Sequence, residues 1–537
     1  MAAGGDVMGD GVDCILGSGP AAVACARELL DRGRKVVLVD PGRRLPGGRA
    51  ALAEDFRRGE DSKTYLHRLR ALRRDLPREM QNKKLPFSSP HVYDAVERYL
   101  PAQTHKAEVL RSLASGGLSA VWGATVMPMA ERSFRDWPVT RADMEPFYRK
   151  AAQLMDVPVV HDDLTALYPN YGSAAPTALS EQGAQLIANL VNHRQNLAAD
   201  GIRFGRCRSA IGATNAANEG GCVYCGFCMY GCPFRAIFSA EYALDGLKVD
   251  RQFNHHAGRL AVGFAETASG VEVQLRCFDD GGRETLGCER LFVACGAATS
   301  LRLVAGAQAM FDRTFYLKDT QRVSIPIVLR RRCRPGPIPK ASALGQLFVM
   351  MDEPELCDEL IHLQIYGFNP FIVDLLRARF GALLIQEPLL RPLFDRMMVV
   401  MGYLPGQLSG RIVVTVKPAS PADIGLPPAT YRGETSPRTP GAVRAIARKL
   451  KRHARALGVW PAPAMTEVPG ASNHLGACLP MRDTPQPGET DRLGRPYGLK
   501  RVHVVDAACF SDLPAEHLTY TIMANAMRIA AEAGEMP

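Results

Sequence analysis

The chain has 537 residues, 47% of them hydrophobic and 22% charged, which predicts a globular protein with a large core and favours two intertwined domains. The formal net charge is +10, and part of the excess lies in two basic stretches, 43–84 and 444–455. These stretches carry no nucleic-acid motif and no interleaved aromatic residues, so nucleic acid is excluded as a partner. They are interpreted as solvated helix faces, with an acidic substrate, an acidic protein or an anionic membrane surface as alternatives.

Neither a membrane span nor a secretory signal is expected. The most apolar stretch, FIVDLLRARFGALLI from Phe371, is interrupted by charges and falls short of the roughly 20 apolar residues that a span requires. The first residues, MAAGGDVMGDGVDC, lack a basic region and an apolar region. The expected compartment is therefore the cytoplasm, where the 14 cysteines should not form a disulfide framework.

Residues 12–40 are the first predicted unit: a strand, a glycine turn, a helix and a second strand. The apolar run Val12 to Leu16 is followed by the turn GSGPAA and by small and apolar residues at helical spacing. A second apolar run then ends in Asp40. A unit of this kind places the amino end of a helix at the phosphates of a dinucleotide.

Each position of the turn has a chemical reason. Gly17 permits the tight turn, Gly19 lets the backbone approach a pyrophosphate, and the small Ala22 lets the helix pack on the strand. Asp40 can accept hydrogen bonds from an adenosine ribose. The predicted dinucleotide contacts are therefore Gly17, Gly19, Pro20, Ala22 and Asp40. The motif does not separate FAD from NAD, although its place near residue 17 of a long chain favours FAD.

Two segments follow at residues 115–151. SGGLSAVWGA, Ser115 to Ala124, is a loop of small residues around one tryptophan that lets its backbone approach a ligand closely. In DWPVTRADMEPFYRKA, Thr140 is predicted to cap a helix and Asp143 to complete a start like a capping box.

Four cysteines are clustered in CVYCGFCMYGCP, residues 222–233. The spacing C-x2-C-x2-C-x3-C-P is that of bacterial ferredoxins, whose thiolates bind iron. It predicts an iron–sulfur cluster, [4Fe-4S] in preference to [3Fe-4S], held by Cys222, Cys225, Cys228 and Cys232. Because there is one such run, either Cys232 completes a [4Fe-4S] cluster, or the first three cysteines hold a [3Fe-4S] cluster, or a remote cysteine such as Cys207 is the fourth ligand. A zinc site and a set of free thiols are the alternatives.

The region after the cysteines reads mainly as strands. RLAVGF, VEVQLRCF and RLFVACGAATS predict a meander of three strands, the last ending at a second glycine turn, Gly296. LSGRIVVTVKP, 408–418, predicts another strand, and the basic stretch after it places Val443, Ile446, Leu450 and Leu457 on one helical face. The segment between 320 and 470 has no recognisable motif and is expected to line the substrate pocket.

The carboxyl-terminal part contains SNHLGACLPM, 472–481, and VHVVDAACFSDLPAEHLTYTIMANAMRIAAEA, 502–533. A strand, VHVVD, leads through a loop to a long alanine-rich helix, and His474 and His517 lie in loops. A neutral imidazole can take the proton of a hydroxyl group while hydride leaves its carbon, and a second imidazole can hold the resulting alkoxide. The alternative is a structural role for both histidines.

Together these segments resemble the glucose–methanol–choline (GMC) family of flavin oxidoreductases over nearly the whole chain. The segments that match in order are GSGPAA, GGLSAVWG, DWPVTRADMEPFY, ACGAATS, HLGAC and VVDAACF…PAEHLTYT. The tryptophan of the second segment and the DWP…PFY segment look most like the branch that contains gluconate, fructose and similar sugar dehydrogenases. Some members of that branch carry a cysteine cluster in this region.

The resemblance implies a cofactor and a reaction: FAD, bound covalently or non-covalently, accepts hydride from an alcohol. By position, His474 matches the base and His517 the residue beside it. The other positions that it places at the cofactor are Gly116, Gly117, Ser119, Trp122, Asp506 and Thr521. The sequence departs from the common pattern at Ala477, Leu479 and Asp40, where many members have Thr, Arg and Glu.

The predicted fold class is α/β, an FAD-binding Rossmann-like domain intertwined with a substrate domain built of an antiparallel sheet and helices. The FAD-binding domain is expected to comprise 1–45, 105–130, 240–320 and 470–537. The substrate domain is expected to comprise 46–104, 131–239 and 321–469, with the cysteine cluster at 222–232.

The expected function is oxidation of an alcohol group of a sugar-like polyol or glycoside, such as a biosynthetic sugar or aminoglycoside intermediate. A cluster passes electrons singly, which favours a dehydrogenase with a protein or quinone acceptor over an oxidase; a purely structural cluster is the alternative. The second hypothesis is a flavin and iron–sulfur electron-transfer or assembly subunit without alcohol chemistry.

Overall fold

The computed structural model describes residues 11–212, 221–278, 281–333, 343–381, 385–420 and 423–534. The strands, numbered along the chain, are β1 Val12–Leu16, β2 Lys35–Asp40, β3 Ala102–His105, β4 Ile202–Arg206, β5 Phe253–Ala257, β6 Arg259–Glu266, β7 Val271–Cys277, β8 Arg283–Cys288, β9 Arg290–Val293, β10 Thr314–Asp319, β11 Arg322–Leu329, β12 Gly345–Met351, β13 Ile361–Tyr366, β14 Met397–Tyr403, β15 Arg411–Val416, β16 Ala429–Glu434, β17 Val459–Pro461, β18 Met465–Thr466, β19 Leu475–Gly476 and β20 Val502–Val504.

The helices lie between and around these strands. They are α1 Pro20–Asp31, α2 Gly47–Arg57, α3 Ser62–Arg74, α4 Arg78–Gln81, α5 Val96–Tyr99, α6 Arg141–Leu154, α7 Glu181–Asn192, α8 Arg194–Ala199, α9 Ala240–Leu247, α10 Ala297–Ala307, α11 Pro370–Phe380, α12 Glu387–Phe394, α13 Thr439–Leu457 and α14 Leu518–Ala533. Among the described residues, no helix is both long and apolar enough to cross a membrane.

A parallel sheet in the order β20-β9-β1-β2-β5 carries the predicted dinucleotide site. Its central strands β1 and β9 are short apolar runs buried along their whole length. Helix α1 packs on β1, β2 and β9, and α14 packs on α1. The strand–turn–helix–strand unit at 12–40 is confirmed, as are the strand at 502–504 and the long helix after it.

The second sheet is large and antiparallel, with the strand order β17-β11-β14-β13-β12-β4 and with β18 beside β11. Alternate residues of its strands point to opposite faces. One face is apolar and packs on α7 and α13 in a single core, where Leu363 and Val400 meet Ile446 and Leu450. The other face carries His362 and Gln364 of β13, and His362 contacts His517 beside the start of α14.

The predicted meander needs one correction. β6, β7 and β8 form the antiparallel group, whereas β9, predicted as its third strand, joins the parallel sheet beside β1. The prediction missed β8, Arg283–Cys288, because RETLGC has three polar residues at its start and a glycine, and is a poor strand former by itself. Its pairing with β7 decides the structure.

A third sheet, β19-β10-β15-β16-β3, joins segments from both predicted domains. The strands of the parallel sheet fall within the segments predicted to bind FAD, and those of the large antiparallel sheet within the segments predicted for the substrate domain. The α/β fold class with a Rossmann-like domain and an antiparallel substrate sheet is confirmed. The boundaries between the domains stay a prediction.

Candidate active site

The glycine turn after β1 has room for a ligand on one side and none on the other. Gly17 has a φ of +96°, and a Cβ there would lie 2.6 Å from the carbonyl oxygen of Ala294 on the neighbouring strand. Only glycine fits that position. At Gly19, the residue that caps α1, an added Cβ would meet no atom within 4 Å. The open space beside the amino end of α1 is where a phosphate group would bind.

The GGLS segment lies against this turn. A Cβ on Gly117 would be 3.6 Å from the Cα of Gly19, and the backbone N–H of Gly116 donates to Ser18 Oγ at 3.0 Å. Ser119 Oγ accepts from the N–H of Ala240 at 3.0 Å and so starts α9. Trp122 donates from Nε1 to the carbonyl of Phe238 at 2.8 Å, which fixes the ring beside the loop.

The buried polar groups predicted at the cofactor already have partners within the protein. Asp40 accepts from Ser18 Oγ and pairs with His255 Nε2, which lies 2.7 Å from Oδ1. Asp506 accepts from the N–H of Gly296 at 2.8 Å and of Ala508 at 2.9 Å, and burial raises its pKa. A carboxylate has further acceptor positions, so these contacts leave a contact with a ligand available.

Thr521 lies in the first turn of α14, fully buried, with its Oγ1 2.8 Å from the hydroxyl of Tyr148. This hydrogen bond joins α14 to α6. The role of Thr521 at the cofactor stays a prediction, because its hydroxyl is engaged by a neighbouring helix.

His474 is held by a buried network. Asp319 accepts from Ser472 Oγ at 2.5 Å and from the N–H of Gly470 at 2.8 Å, and Ser472 Oγ accepts from the N–H of His474 at 2.9 Å. The ring nitrogen Nδ1 of His474 lies 3.0 Å from Thr320 Oγ1. Since Nδ1 is occupied by Thr320, Nε2 is the nitrogen left for a ligand.

His517 caps the amino end of α14 and faces His474. The two ring centroids are 5.1 Å apart and the planes are at 81°. The two histidines, 43 residues apart in the chain, therefore meet in one place, as one hydroxyl group shared between them would require.

The polar face of the large sheet adds residues that the sequence prediction missed. The ring of Tyr403, on β14, stacks on His474 at 4.9 Å, and that of His362, on β13, is perpendicular to His517 at 5.0 Å. Phe348, on β12, stacks on the other side of His517 at 5.9 Å. The available signal was the alternation in IHLQIY, where polar or aromatic residues at every second position mark a strand with one functional face.

Burial keeps the three imidazoles neutral. It lowers the pKa of His474 to about 4, with a further effect from the positive charge of Arg322, and the pKa of His362 to about 3. The pKa of His517 is also well below its usual value because of burial and the neighbouring imidazoles. Neutral imidazoles can accept protons, which an imidazolium cannot.

The four clustered cysteines lie close together on the loop between β4 and α9. Burial, together with a smaller electrostatic repulsion from Cys228 and Cys232, raises the pKa of Cys222 to about 11 and that of Cys225 to about 12. Cys228 Sγ accepts a hydrogen bond from the N–H of Ala343 at 3.4 Å. No group of three or more His, Cys, Asp or Glu side chains in the described ranges is arranged to hold a metal ion.

One lysine connects the cysteine loop with the predicted cofactor segment. Lys84 donates from Nζ to the carbonyl of Trp122, and burial lowers its pKa to about 8 against the opposing effect of Cys228 and Cys232. The thiols therefore lie beside the loop that packs on the glycine turn. Cys207, the alternative fourth ligand, lies on the polar face of the large sheet, where its Sγ is 3.6 Å from Ser209 Oγ.

Comparison with known proteins agrees with this architecture. The family model of the NAD(P)-binding Rossmann-like domain matches residues 15–74, and no curated protein matches the chain. Three solved structures superpose over 98% of this chain and 99% of theirs at 13% identity: pyridoxine 4-oxidase from Mesorbium loti (TM-score 0.61), a fungal aryl-alcohol oxidase (0.57) and formate oxidase (0.59). The fold is that of the GMC oxidoreductases. The resemblance seen in the motifs is thus confirmed at the level of the fold.

The open space at Gly19 is consistent with a dinucleotide site. The turn, the amino end of α1 and the GGLS segment form a cradle that fits a dinucleotide. The residues present therefore fit FAD.

Proposed function

We propose that this protein is an FAD-dependent oxidoreductase that oxidises an alcohol CH–OH group. The observation that supports this most is the meeting of His474 and His517, with ring centroids 5.1 Å apart, in a chain with the GMC fold. FAD, when bound, supplies the acceptor for the hydride that leaves the carbon.

The residues that would hold FAD are those of the cradle and the loops beside it. Gly17, Gly19, Pro20 and Ala22 form the phosphate turn, and Asp40 ends the strand beside it. The loop with Gly116, Gly117, Ser119 and Trp122 would cover the cofactor, together with Asp506 after β20 and Thr521 in the first turn of α14.

The contribution of the two histidines is proton transfer and orientation. One imidazole takes the proton of the hydroxyl group and the other holds its oxygen; the resemblance gives His474 the first role. Both rings are enclosed by aromatic side chains of the large sheet, which keeps water from competing for the oxygen. General-base catalysis of this kind contributes about 100- to 10,000-fold in rate.

A sugar-like polyol is the proposed substrate class. The support is the polar character of one face of β13, which carries Gln364 and Tyr366 at alternate positions from His362, together with the ring of Tyr403 that stacks on His474. The Oε1 atom of Gln364 is buried without a hydrogen-bond partner among the described residues. A substrate with several hydroxyl groups would satisfy such atoms, whereas an aromatic alcohol would leave them unpaired.

The test is reduction of the bound flavin. The protein is purified anaerobically and mixed with candidate polyols, sugar acids and glycosides, and loss of the flavin absorption band is followed. We expect at least one to bleach the band, and His474→Ala and His517→Ala each to slow bleaching by at least about 100-fold while FAD stays bound. Bleaching at an unchanged rate in both variants would remove the histidines from the reaction. If no alcohol bleaches the band, the electron-transfer or assembly subunit is favoured.

We further propose that the cysteine loop holds an iron–sulfur cluster that passes electrons to a protein or quinone acceptor. The support is the ferredoxin spacing and the backbone N–H donated to Cys228 Sγ; in the described residues the four thiols are not themselves arranged as a metal site. A cluster there would lie next to the loop that covers the cofactor, through Lys84 and Trp122.

Iron and sulfide analysis with electron paramagnetic resonance tests this second proposal. We expect stoichiometric iron and inorganic sulfide in anaerobic protein, loss of both in Cys225→Ser, and no loss in Cys277→Ala, a buried cysteine of β7. FAD content should be the same in all three proteins. Protein reconstituted with iron and sulfide that binds neither would contradict the cluster.

A further inference from the structure

Two buried ring nitrogens at the site are unpaired among the described residues, and they belong to neighbouring rings. They are His517 Nδ1 and His362 Nε2. The ring centroids are 5.0 Å apart and the planes are at 87°, so the two rings are neighbours in edge-to-face contact. A buried polar atom left without a partner is destabilising, so such atoms call for an explanation.

The side chain of Met350 fixes which nitrogen of His362 carries a proton. His362 Nδ1 lies 3.0 Å from Met350 Sδ, on the adjacent strand β12. A thioether sulfur can only accept a hydrogen bond, so Nδ1 must be the donor. Because burial keeps His362 neutral, its Nε2 then carries a lone pair and can only accept.

We propose that His362 Nε2 accepts the Nδ1–H of His517, and that His517 is thereby held with a free lone pair on Nε2, ready to take the proton of the substrate hydroxyl. His362 and Met350 are positioning residues, since they act on the reaction through His517. This inference rests on the proposed function, and it moves the role of proton acceptor from His474, which the resemblance indicates, to His517.

His474 has no such constraint. Its Nδ1 faces Thr320 Oγ1, and a hydroxyl group can donate or accept, so His474 can present an N–H at Nε2 to the substrate oxygen. In the proton step the O–H bond breaks, an N–H bond forms at His517 Nε2, and the electron pair stays on the oxygen, where the N–H of His474 stabilises it.

The first test reads the tautomers directly. The full-length protein is labelled with ¹⁵N-histidine. NMR correlations between the carbon-bound ring protons and the ring nitrogens then assign the tautomer of each histidine. We expect Nδ1–H forms for His362 and His517. We expect Met350→Leu to give a mixture of the two tautomers at His362, and His362→Phe to give such a mixture at His517. Met351→Leu, on the opposite face of the same strand, should change neither. An Nε2–H form of His517 in the parent protein, or an unchanged His517 in His362→Phe, would overturn the proposal.

The second test separates the two histidines by flavin reduction. Asparagine can donate a hydrogen bond but cannot take the proton, so His474→Asn should keep the rate within about tenfold and His517→Asn should lose at least about 100-fold. The reverse order would return the acceptor role to His474. His362→Phe should lower kcat by at least about tenfold with KM unchanged, and His362→Gln, whose amide oxygen can accept from Nδ1–H, should recover most of it. Because the tautomer spectra need no substrate, they decide the inference even if no alcohol reduces the flavin.

Discussion

Glu516 immediately precedes His517 and is the most unusual ionisable residue near the site. It is 1% exposed, and its Oε1 accepts a hydrogen bond of 2.5 Å from the hydroxyl of Tyr168. Burial raises its pKa to about 7, well above the ordinary value for a glutamate, and the negative charge of Glu359 adds to the effect of burial. The folded protein therefore binds this proton more tightly than the unfolded chain does.

The sign of the resulting pH dependence follows from linkage. Between about pH 4.5 and pH 7 the folded state holds more protons on Glu516, so its contribution to stability falls as pH rises, by at most about 1.4 kcal/mol per pH unit. Glu516→Gln is neutral at every pH. We expect the melting temperature of this variant, relative to the parent at saturating FAD, to increase steadily from about pH 5 to about pH 7.5. Glu54→Gln, an exposed carboxylate, is the control; parallel curves for parent and Glu516→Gln would refute the raised pKa.

At the scale of single elements, the helix α6 shows how a local sequence signal organises the surroundings of the site. Thr140 Oγ1 accepts from the N–H of Asp143 at 3.2 Å, and Asp143 accepts from the N–H of Thr140 at 2.8 Å, which is the capping box predicted from the sequence. Two turns later Tyr148 hydrogen-bonds Thr521 of α14. The start of α6 thus supports the helix that carries His517 at its amino end.

Removal of this helix cap should lower the free energy of unfolding and leave the residues of the candidate active site unchanged. We expect Thr140→Ala to lower the free energy of unfolding by about 1 kcal/mol, because the backbone N–H of Asp143 loses its partner, and Thr140→Ser to preserve it. Urea denaturation of the FAD-bound protein measures the difference. A Thr140→Ala variant as stable as Thr140→Ser would show that the box contributes nothing.

What the sequence could predict depends on how far apart in the chain the interacting residues of an element lie. The glycine turn at Gly17 and the helix cap at Thr140 are local, because the atoms that need those residues lie within a few positions. β8 and His362 depend on partners far along the chain: β8 is a strand through β7, and His362 reaches the site only because β13 pairs with β14. His474 and His517 could be predicted from the family resemblance because they lie in recognisable motifs. His362 lies in the segment between 320 and 470, which has no motif, so the resemblance gave no information on it.

On the scale of the whole molecule, one buried ion network joins distant parts of the chain. Asp13 of β1 is fully buried and accepts two hydrogen bonds of 2.8 Å from Arg290 and one of 2.9 Å from Arg34. Arg290 also donates to the carbonyl of Ala533 at 2.6 Å, at the end of α14. β1, β9 and α14 are therefore held together by one carboxylate.

Neutralising the carboxylate of Asp13 should strongly destabilise the protein. We expect Asp13→Asn to destabilise the protein by about 3–5 kcal/mol, because it leaves the buried guanidinium of Arg290 without its counter-charge. Glu289→Gln, which removes a partly exposed partner of Arg34, should cost less than about 1 kcal/mol. The urea midpoints of the two variants compare them, and equal midpoints would mean that the network is held by its backbone contacts alone.

The strand order β20-β9-β1-β2-β5 has a consequence for the protein's own synthesis. When a ribosome has translated the first 300 residues, β1, β2, β5 and β9 and the turn at Gly17 have all been made, whereas β20 and His517 have not. The turn proposed to bind FAD and the strands beside it are thus synthesised some 200 residues before the second imidazole of the proposed active site.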